Sequence, residues 1–492
     1  MSALRRWGSL TVLVGAVLLL AIDATVLHLA MPSLSRDLSP TAEQMLWIGD
    51  IYSLALAGLL VTMGNLADKI GRKKLLLIGT TAFGAASVLA AFAPTATALI
   101  GARLLLGIAG ATIMPSTLSL IRAIFTDAAE RTRAIALWSA ASASGIALGP
   151  LIAGLLLQHF WWGSVFLINI PVMVAVLIFG GWLLPESRNP SASSFDLLSS
   201  ALSMLGIVPL VYAIKHAAGG DWDMSVWACA LIGVVGLISF VRRQRRVENP
   251  MIDVQLFANK AFSGAVFTNF ISVFALSGYM FFFAQYLQLA RGLSPLQAGL
   301  TQLPLAVAAM MVTLFVGVLL GRLGRGRAIA TGLIIGAVGL LLIAVIEDSE
   351  QLFWVLLATI PLGLGVGISE TLSVDAVVSA APVKKAGAAS SISETAYELG
   401  VALGIAILGS LMSVLYRNNL DLPADLPAEV AEPVRDSLAS ATAALESGSA
   451  TLAAAQDAFI HAMQTTTLSA AGVMVLAAIV AYKLIPSPKN AA

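Results

Sequence analysis

Six carboxylates lie inside long apolar stretches of this 492-residue chain: Asp23, Asp50, Glu370, Asp375, Glu394 and Glu398. An ionisable group in hydrocarbon is expensive, so by default each marks an ion path or a counter-charge for a ligand. Helical rise puts Asp23 and Asp50 roughly 10 Å below the outer surface of the membrane, and Arg103 enters at a similar depth. These three are expected to form one charged cluster. An acid beside arginine is held ionised, and release of that pairing lets it take a proton from outside. Asp23 is then the principal protonation site, Arg103 its modulator and Asp50 a secondary member. A permanent ion pair that only rigidifies the bundle is the alternative.

Glu394 and Glu398 are four residues apart and share a helix face. Two carboxylates on one stripe can hold a cation, or one can shuttle protons while the other attracts substrate; a role in helix pairing is the alternative. Glu370 can add to that acidic surface, whereas Asp375 sits nearer cytoplasmic water. Tyr52, Trp138 and Phe283 offer rings on which a planar lipophilic cation could stack, with ordinary membrane packing as the competing role.

Other chemistries lack their residues. The only cysteine, Cys229, excludes an intramolecular disulfide or a cysteine-cluster metal site. His159, His216 and His461 fall at segment ends and no metal spacing appears, so no metal is expected; nor do a nucleophile and base converge, so the chain does not read as an enzyme. No phosphate-cradling G-x-x-x-x-G-K-[ST] loop is present. The fuel is therefore an ion gradient, with no cofactor.

The elements that must position these acids are membrane helices. Hydrophobic residues make up 58% of the chain and charged residues 11%, with mean hydropathy +0.90, whereas a soluble domain carries about 25% charged residues. A net charge of +1 gives no reason to expect nucleic acid. Apolar segments of spanning length occur near 9–32, 44–67, 74–93, 98–122, 133–157, 163–184, 197–216, 224–241, 261–290, 296–320, 328–346, 352–380, 386–415 and 459–485, about fourteen in all. Lys69, Arg72, Lys73 and Lys74 in GNLADKIGRKK, Gly64 to Lys74, mark a cytoplasmic loop. With the N-terminus inside, only Arg36, Lys215, Arg291, Arg417 and Arg435 fall outside and Arg103 within a span, which puts both termini in the cytoplasm. The acidic, Ala-rich loop 416–458 lies outside and is expected to hold a small helical hairpin.

A repeat organises the spans. GVLLGRLGR, Gly317 to Arg325, echoes GNLADKIGR, Gly64 to Arg72, at the end of span 10 as against span 2. Two six-span halves with two spans inserted between them account for that shift; parallel six-span repeats are the build of major facilitator transporters. The expected division is a six-helix bundle over 1–190, two inserted helices and a linker over 191–258, and a second bundle over 259–492. Asp68 has Gly321 opposite it, so its role belongs to one half. At a helix end it suits a charged latch to another helix terminus or a nearby arginine. Gly145, Gly149 and Gly154 remove side chains from span 5, and Pro150 removes one backbone hydrogen bond, which makes a packed and bendable helix.

The chain resembles the major facilitator superfamily. GNLADKIGRKK is similar to its loop signature, Arg103 with Gly107 and Gly110 to its second motif, and GIALGPLIAG, Gly145 to Gly154, to the motif associated with drug antiporters. LLLAIDATVLHLAMP, Leu18 to Pro32, and SETAYELG, Ser393 to Gly400, resemble fourteen-span drug and proton antiporters, particularly exporters of quaternary ammonium compounds and cationic dyes. The resemblance implies an all-α integral membrane protein of the major facilitator fold and proton-coupled efflux of lipophilic cations through an inner (cell) membrane, by a monomer. It also implies that Asp68, Gly71 and Arg72 take part in a conformational switch with Gly145, Gly149, Pro150 and Gly154. A narrow-specificity proton-coupled metabolite transporter of the same fold is the alternative.

Overall fold

The computed structural model describes residues 2–188, 196–220, 222–247, 250, 252–347, 351–381, 386–423, 426–446 and 448–487. Fourteen helices are long and apolar enough to cross a membrane, and no strand occurs among the described residues. In a bilayer each backbone polar group must be satisfied within its own segment, which the helix alone achieves for a single crossing.

The first bundle comprises α1 (Ala3–Leu38), α2 (Ala42–Ile70), α3 (Arg72–Ala91), α4 (Ala96–Ile124), α5 (Ala128–His159), and the short α6 (Ser164–Leu167) continued by α7 (Asn169–Leu183). Here α1 packs on α5 and α7, α2 on α4, and α3 on α4 and α7. Helices α8 (Leu197–Gly219) and α9 (Met224–Gln244) then form a hairpin.

The second bundle holds α10 (Lys260–Gln285), α11 (Pro295–Leu323), α12 (Arg325–Ile346), α13 (Leu352–Ala380) and α14 (Ala386–Leu403), which runs through a wide turn at Gly404–Leu408 into α15 (Gly409–Asn419). The loop follows with α16 (Ala428–Asp436) and α17 (Leu438–Ala444), and α18 (Ala450–Leu484) closes the chain. Within it α12 lies on α13 and α18, and α10 on α13, α14 and α18. The two bundles meet where α5 faces α11, α2 faces α14 and α1 faces α10, and the α8–α9 hairpin leans on α2 and α15.

The loop differs in detail from the expected hairpin. Its Ala-rich stretch divides between α17 and the first turns of α18, which starts at Ala450 under the Ser449 cap instead of near residue 459.

The two copies of the repeat take the same shape. Gly71 (φ 116°) and Gly324 (φ 75°) each separate two spans in a left-handed conformation that side chains avoid. The exposed N–H groups of the following helix are capped from the end of the bundle's last span: the Glu186 carboxylate accepts Lys73 N and Lys74 N at 3.2 Å each, and Ser487 Oγ accepts Arg327 N at 2.9 Å.

Candidate functional site

Asp23 on α1 is wholly buried, and two helices supply its direct partners. Asn169 Nδ2 on α7 donates to Oδ1 at 2.7 Å and also reaches Ser87 Oγ on α3 at 3.0 Å. Arg103 Nη1 on α4 stands 3.4 Å from Oδ2. The guanidinium, itself 1% exposed, donates through Nε to the carbonyl of Ile48 at 3.2 Å and lies 4.6 Å from the ring centre of Tyr52. Tyr52 therefore faces the protein's own cation.

Asp50 stands apart from the single cluster expected of it. Its carboxylate meets the ammonium of Lys215 on α8 at 2.8 Å (Oδ1) and 2.6 Å (Oδ2), with both side chains fully buried. Lys215, read from the sequence as an outer-end residue, is an interior one because α8 turns that face onto α2. Arg103 bears on Asp50 only through space.

Across the inter-bundle contact, Glu398 on α14 is 8% exposed and accepts a hydrogen bond from Ser53 on α2. Arg103 and Glu398 lie within electrostatic reach of one another. The structure thus brings a carboxylate of the second bundle to the charged site of the first. Glu394 and Glu370 on α13 interact electrostatically, and Tyr397 feels Glu370, Glu394 and Glu398 together. None of the three glutamates belongs to an ion pair among the described residues.

Two of the aromatic candidates have structural partners. Trp138 Nε1 on α5 donates to Thr117 Oγ1 on α4 at 3.1 Å. Phe283 lies between Tyr279 (4.9 Å, stacked) and Tyr286 (6.0 Å, stacked).

At the basic end, Asp68 Oδ1 accepts Arg72 Nε at 2.8 Å, and the same guanidinium reaches the carbonyl of Ser119 at 3.4 Å and Ser187 Oγ at 3.2 Å. Asp68 thus holds an arginine that ties three segments. In the second bundle, where Gly321 replaces the acid, Arg325 pairs with Asp375 on α13 at 2.8 Å and with Ser379 Oγ at 3.3 Å. A β-carbon at Gly145 would stand 2.6 Å from the carbonyl oxygen of Leu18, and one at Gly154 2.8 Å from that of Pro295. Pro150 and Gly149 lie between them on the same helix, so α5 is pressed against α1 on one side and α11 on the other.

The interior placement of three polar residues was not anticipated from the sequence. Asn169 and Lys215 were visible as isolated polar residues near or within apolar runs. Glu347, at the C-terminal end of α12, borders polar residues in the sequence, yet it is fully buried with no hydrogen-bond partner among the described residues for either carboxylate oxygen, while Tyr286 Oη donates to its carbonyl at 2.7 Å.

The sequence model described as the Major Facilitator Superfamily matches residues 13–405. The multidrug efflux pump LfrA of Mycolicibacterium smegmatis is 45% identical over 97% of this chain and 95% of its own. The methyl viologen resistance protein SmvA of Salmonella typhimurium is 39% identical over 96% of each. Among solved structures, a bacterial homologue of the human lysosomal transporter Spinster, inward-facing and unoccupied, superposes with a TM-score of 0.67 at 18% identity, covering 99% of this chain and 100% of that one; at that identity the likeness is one of fold.

Proposed function

Since this chain belongs to the major facilitator superfamily, we propose that it is a proton-coupled multidrug antiporter, exporting lipophilic cations such as quaternary ammonium antiseptics and cationic dyes by alternating access. The observation that carries the reading is the set Glu398, Glu394 and Glu370: buried or half-buried carboxylates, one of which, Glu398, reaches Ser53 of the first bundle, and none of which belongs to an ion pair among the described residues. Such groups hold a cation or a proton. The relatives named for multidrug efflux and for methyl viologen resistance support that cargo class, methyl viologen being itself an aromatic dication.

In this mechanism residues 1–190 and 259–492 rock against each other about the contact of α5 with α11, where Gly145, Gly149, Pro150 and Gly154 provide the close and bendable packing. The lipophilic cation enters from the cytoplasm and binds at Glu398 and Glu394. A proton taken up by Asp23 from outside loosens its hold on Arg103, and the freed guanidinium raises the positive potential felt at Glu398, which disfavours the bound cation and returns the empty site inward. Asp68 with Gly71 and Arg72 holds one of the two access states through the three-segment tie. The chain acts as a monomer in the cell membrane with both termini in the cytoplasm.

The test is vesicle transport. Purified protein in liposomes holding a pre-formed pH gradient should dissipate it when ethidium is added, and Asp23→Asn, folded as judged by its melting curve, should not. Undiminished pH-driven efflux by Asp23→Asn would remove Asp23 from the coupling step, and no ethidium-dependent proton flux in the unmodified protein would end the antiport reading.

A further inference from the structure

The α8–α9 hairpin lies between the two bundles in sequence, yet it delivers a positive charge to the interior of one of them. Lys215 Nζ is held on two sides: the Asp50 carboxylate at 2.6–2.8 Å on one and the Trp47 ring, its centre 3.6 Å away, on the other. Both charged side chains are fully buried. Trp47 Nε1 is oriented by Glu43 Oε1 at 3.2 Å, which also lies on the helix that carries Asp50.

Removing a carboxylate and an ammonium from water costs several kcal/mol per ion, and loss of one partner strands the other. Asp50 therefore always needs a positive partner when its surroundings are dry. In a cation and proton exchanger it has three mutually exclusive candidates: Lys215, a proton, or the cargo.

We propose that Lys215 sets the charge of Asp50, acting as a tethered cation that Asp50 must give up before it can take a proton, so that the inserted helices are part of the coupling machinery. Trp47 offers the ammonium a cation–π seat during that exchange. The proposal rests on the proton-coupled reading above. Ionisable groups on the elements packed against α2 and α8 include Arg103 on α4, Glu398 on α14 and Arg417 on α15, with Glu43 on α2 and His216 on α8 themselves. Of these, Arg103 acts on Asp50 and Glu43 on Lys215 through space, and His216 Nδ1 lies 3.5 Å from Glu43 Oε2. Arg417 donates to the carbonyls of Gly219 and Ala218 instead.

The experiment measures ethidium efflux against pH in liposomes for the full-length chain, Lys215→Met, Lys215→Gln, Asp50→Asn and the double variant Asp50→Asn/Lys215→Met. Without the ammonium, Asp50 binds a proton more readily, so the midpoint of the pH profile should move to the alkaline side in Lys215→Met by about one unit or more, a tenfold change in proton affinity. Lys215→Gln, which keeps a hydrogen-bond donor for Asp50, should shift the same way and serves if Lys215→Met does not assemble. The double variant should match Asp50→Asn alone, because no carboxylate is left to tune. An unshifted profile in a folded Lys215→Gln, or an equal shift with Asp50 already replaced, overturns the proposal. Absence of proton coupling in the unmodified chain would instead end the antiport reading itself.

Discussion

Asp436 Oδ2 accepts the main-chain N–H of Ala42 at 2.8 Å, so the long loop of the second bundle caps the first turn of α2 in the first. Tyr416 Oη steadies the loop by donating to the carbonyl of Val434 at 2.8 Å, and Gln288 Nε2 donates to the carbonyl of Leu29 at 3.0 Å at the same end of the molecule. With Met45, Leu46, Phe281, Phe282 and Phe459, Asp436 also lines a cavity of about 30 Å³, room for about one water. This end is strapped shut. Asp436→Ala should speed hydrogen exchange across residues 428–444 and in the first turn of α2, leaving exchange at the basic end unchanged.

The strap should also respond to pH. Burial raises Asp436 above its ordinary range, with the Ala42 amide and Arg417 partly offsetting it. A group whose affinity for protons is higher docked than undocked stabilises docking at low pH and loses that contribution as pH rises through the raised value. Exchange of residues 428–444, corrected for intrinsic rate, should therefore increase with pH above the ordinary carboxylate range. In Asp436→Asn, which cannot ionise, that pH dependence should vanish.

Gly71 is predicted to be intolerant in a way that its near neighbours in the repeat are not. A β-carbon there would meet Glu186 Oε1 at 2.6 Å in addition to the positive φ, while at Gly321 nothing lies within 4 Å. Gly71→Ala should cost about 1–3 kcal/mol from the positive-φ backbone alone, read as a lower melting temperature in detergent. Gly321→Ala should melt with the parent chain.

The fourteen crossings and the repeat were legible because lipid demands long apolar segments and leaves loops to carry the charge. GNLADKIGRKK and GVLLGRLGR even marked the two glycine junctions that the structure shows to be equivalent. Partnership was not legible, because it depends on how each helix is rotated about its axis and which neighbour it meets. Asp23 and Arg103 could be matched by depth, but depth also suggested Asp50, which α8 claims through Lys215. The acid that Gly321 lacks is replaced by Asp375 from a different helix, which comparison of the two loops alone does not reveal.

Asn169 should prove as necessary as the arginine it assists. Its amide is the shorter of the two contacts to Asp23, and loss of a hydrogen bond to a buried charged group costs about 1.5–3 kcal/mol. Asn169→Ala should displace the pH profile of efflux, whereas Ser87→Ala, which removes only the far side of the amide's contacts, should leave it near the parent's.

Glu347 offers the opposite expectation. Among the described residues both carboxylate oxygens are buried without a hydrogen-bond partner, as is the hydroxyl of Tyr279, which lies within its electrostatic reach. An isolated ionised carboxylate in such surroundings is strongly disfavoured. Replacing it with the neutral isostere in Glu347→Gln should therefore hold or raise the melting temperature; a marked drop would mean that the charge has a partner in the folded protein.

The α8–α9 hairpin touches both bundles. Lys215 binds α2 in the interior, Ser200 meets Thr62 on the same helix, and Arg417 of α15 holds the carbonyls of Ala218 and Gly219 at 2.8 and 2.6 Å. A hairpin that crosses and returns leaves the second bundle with the orientation it would have had without it, so the insertion preserves the parity on which the pseudo-twofold depends. It nevertheless ceases to be neutral cargo once fastened at both ends: in the rocking proposed above, either the grip on α2 or the grip on α15 has to yield, and the weaker of the two decides which bundle the hairpin follows.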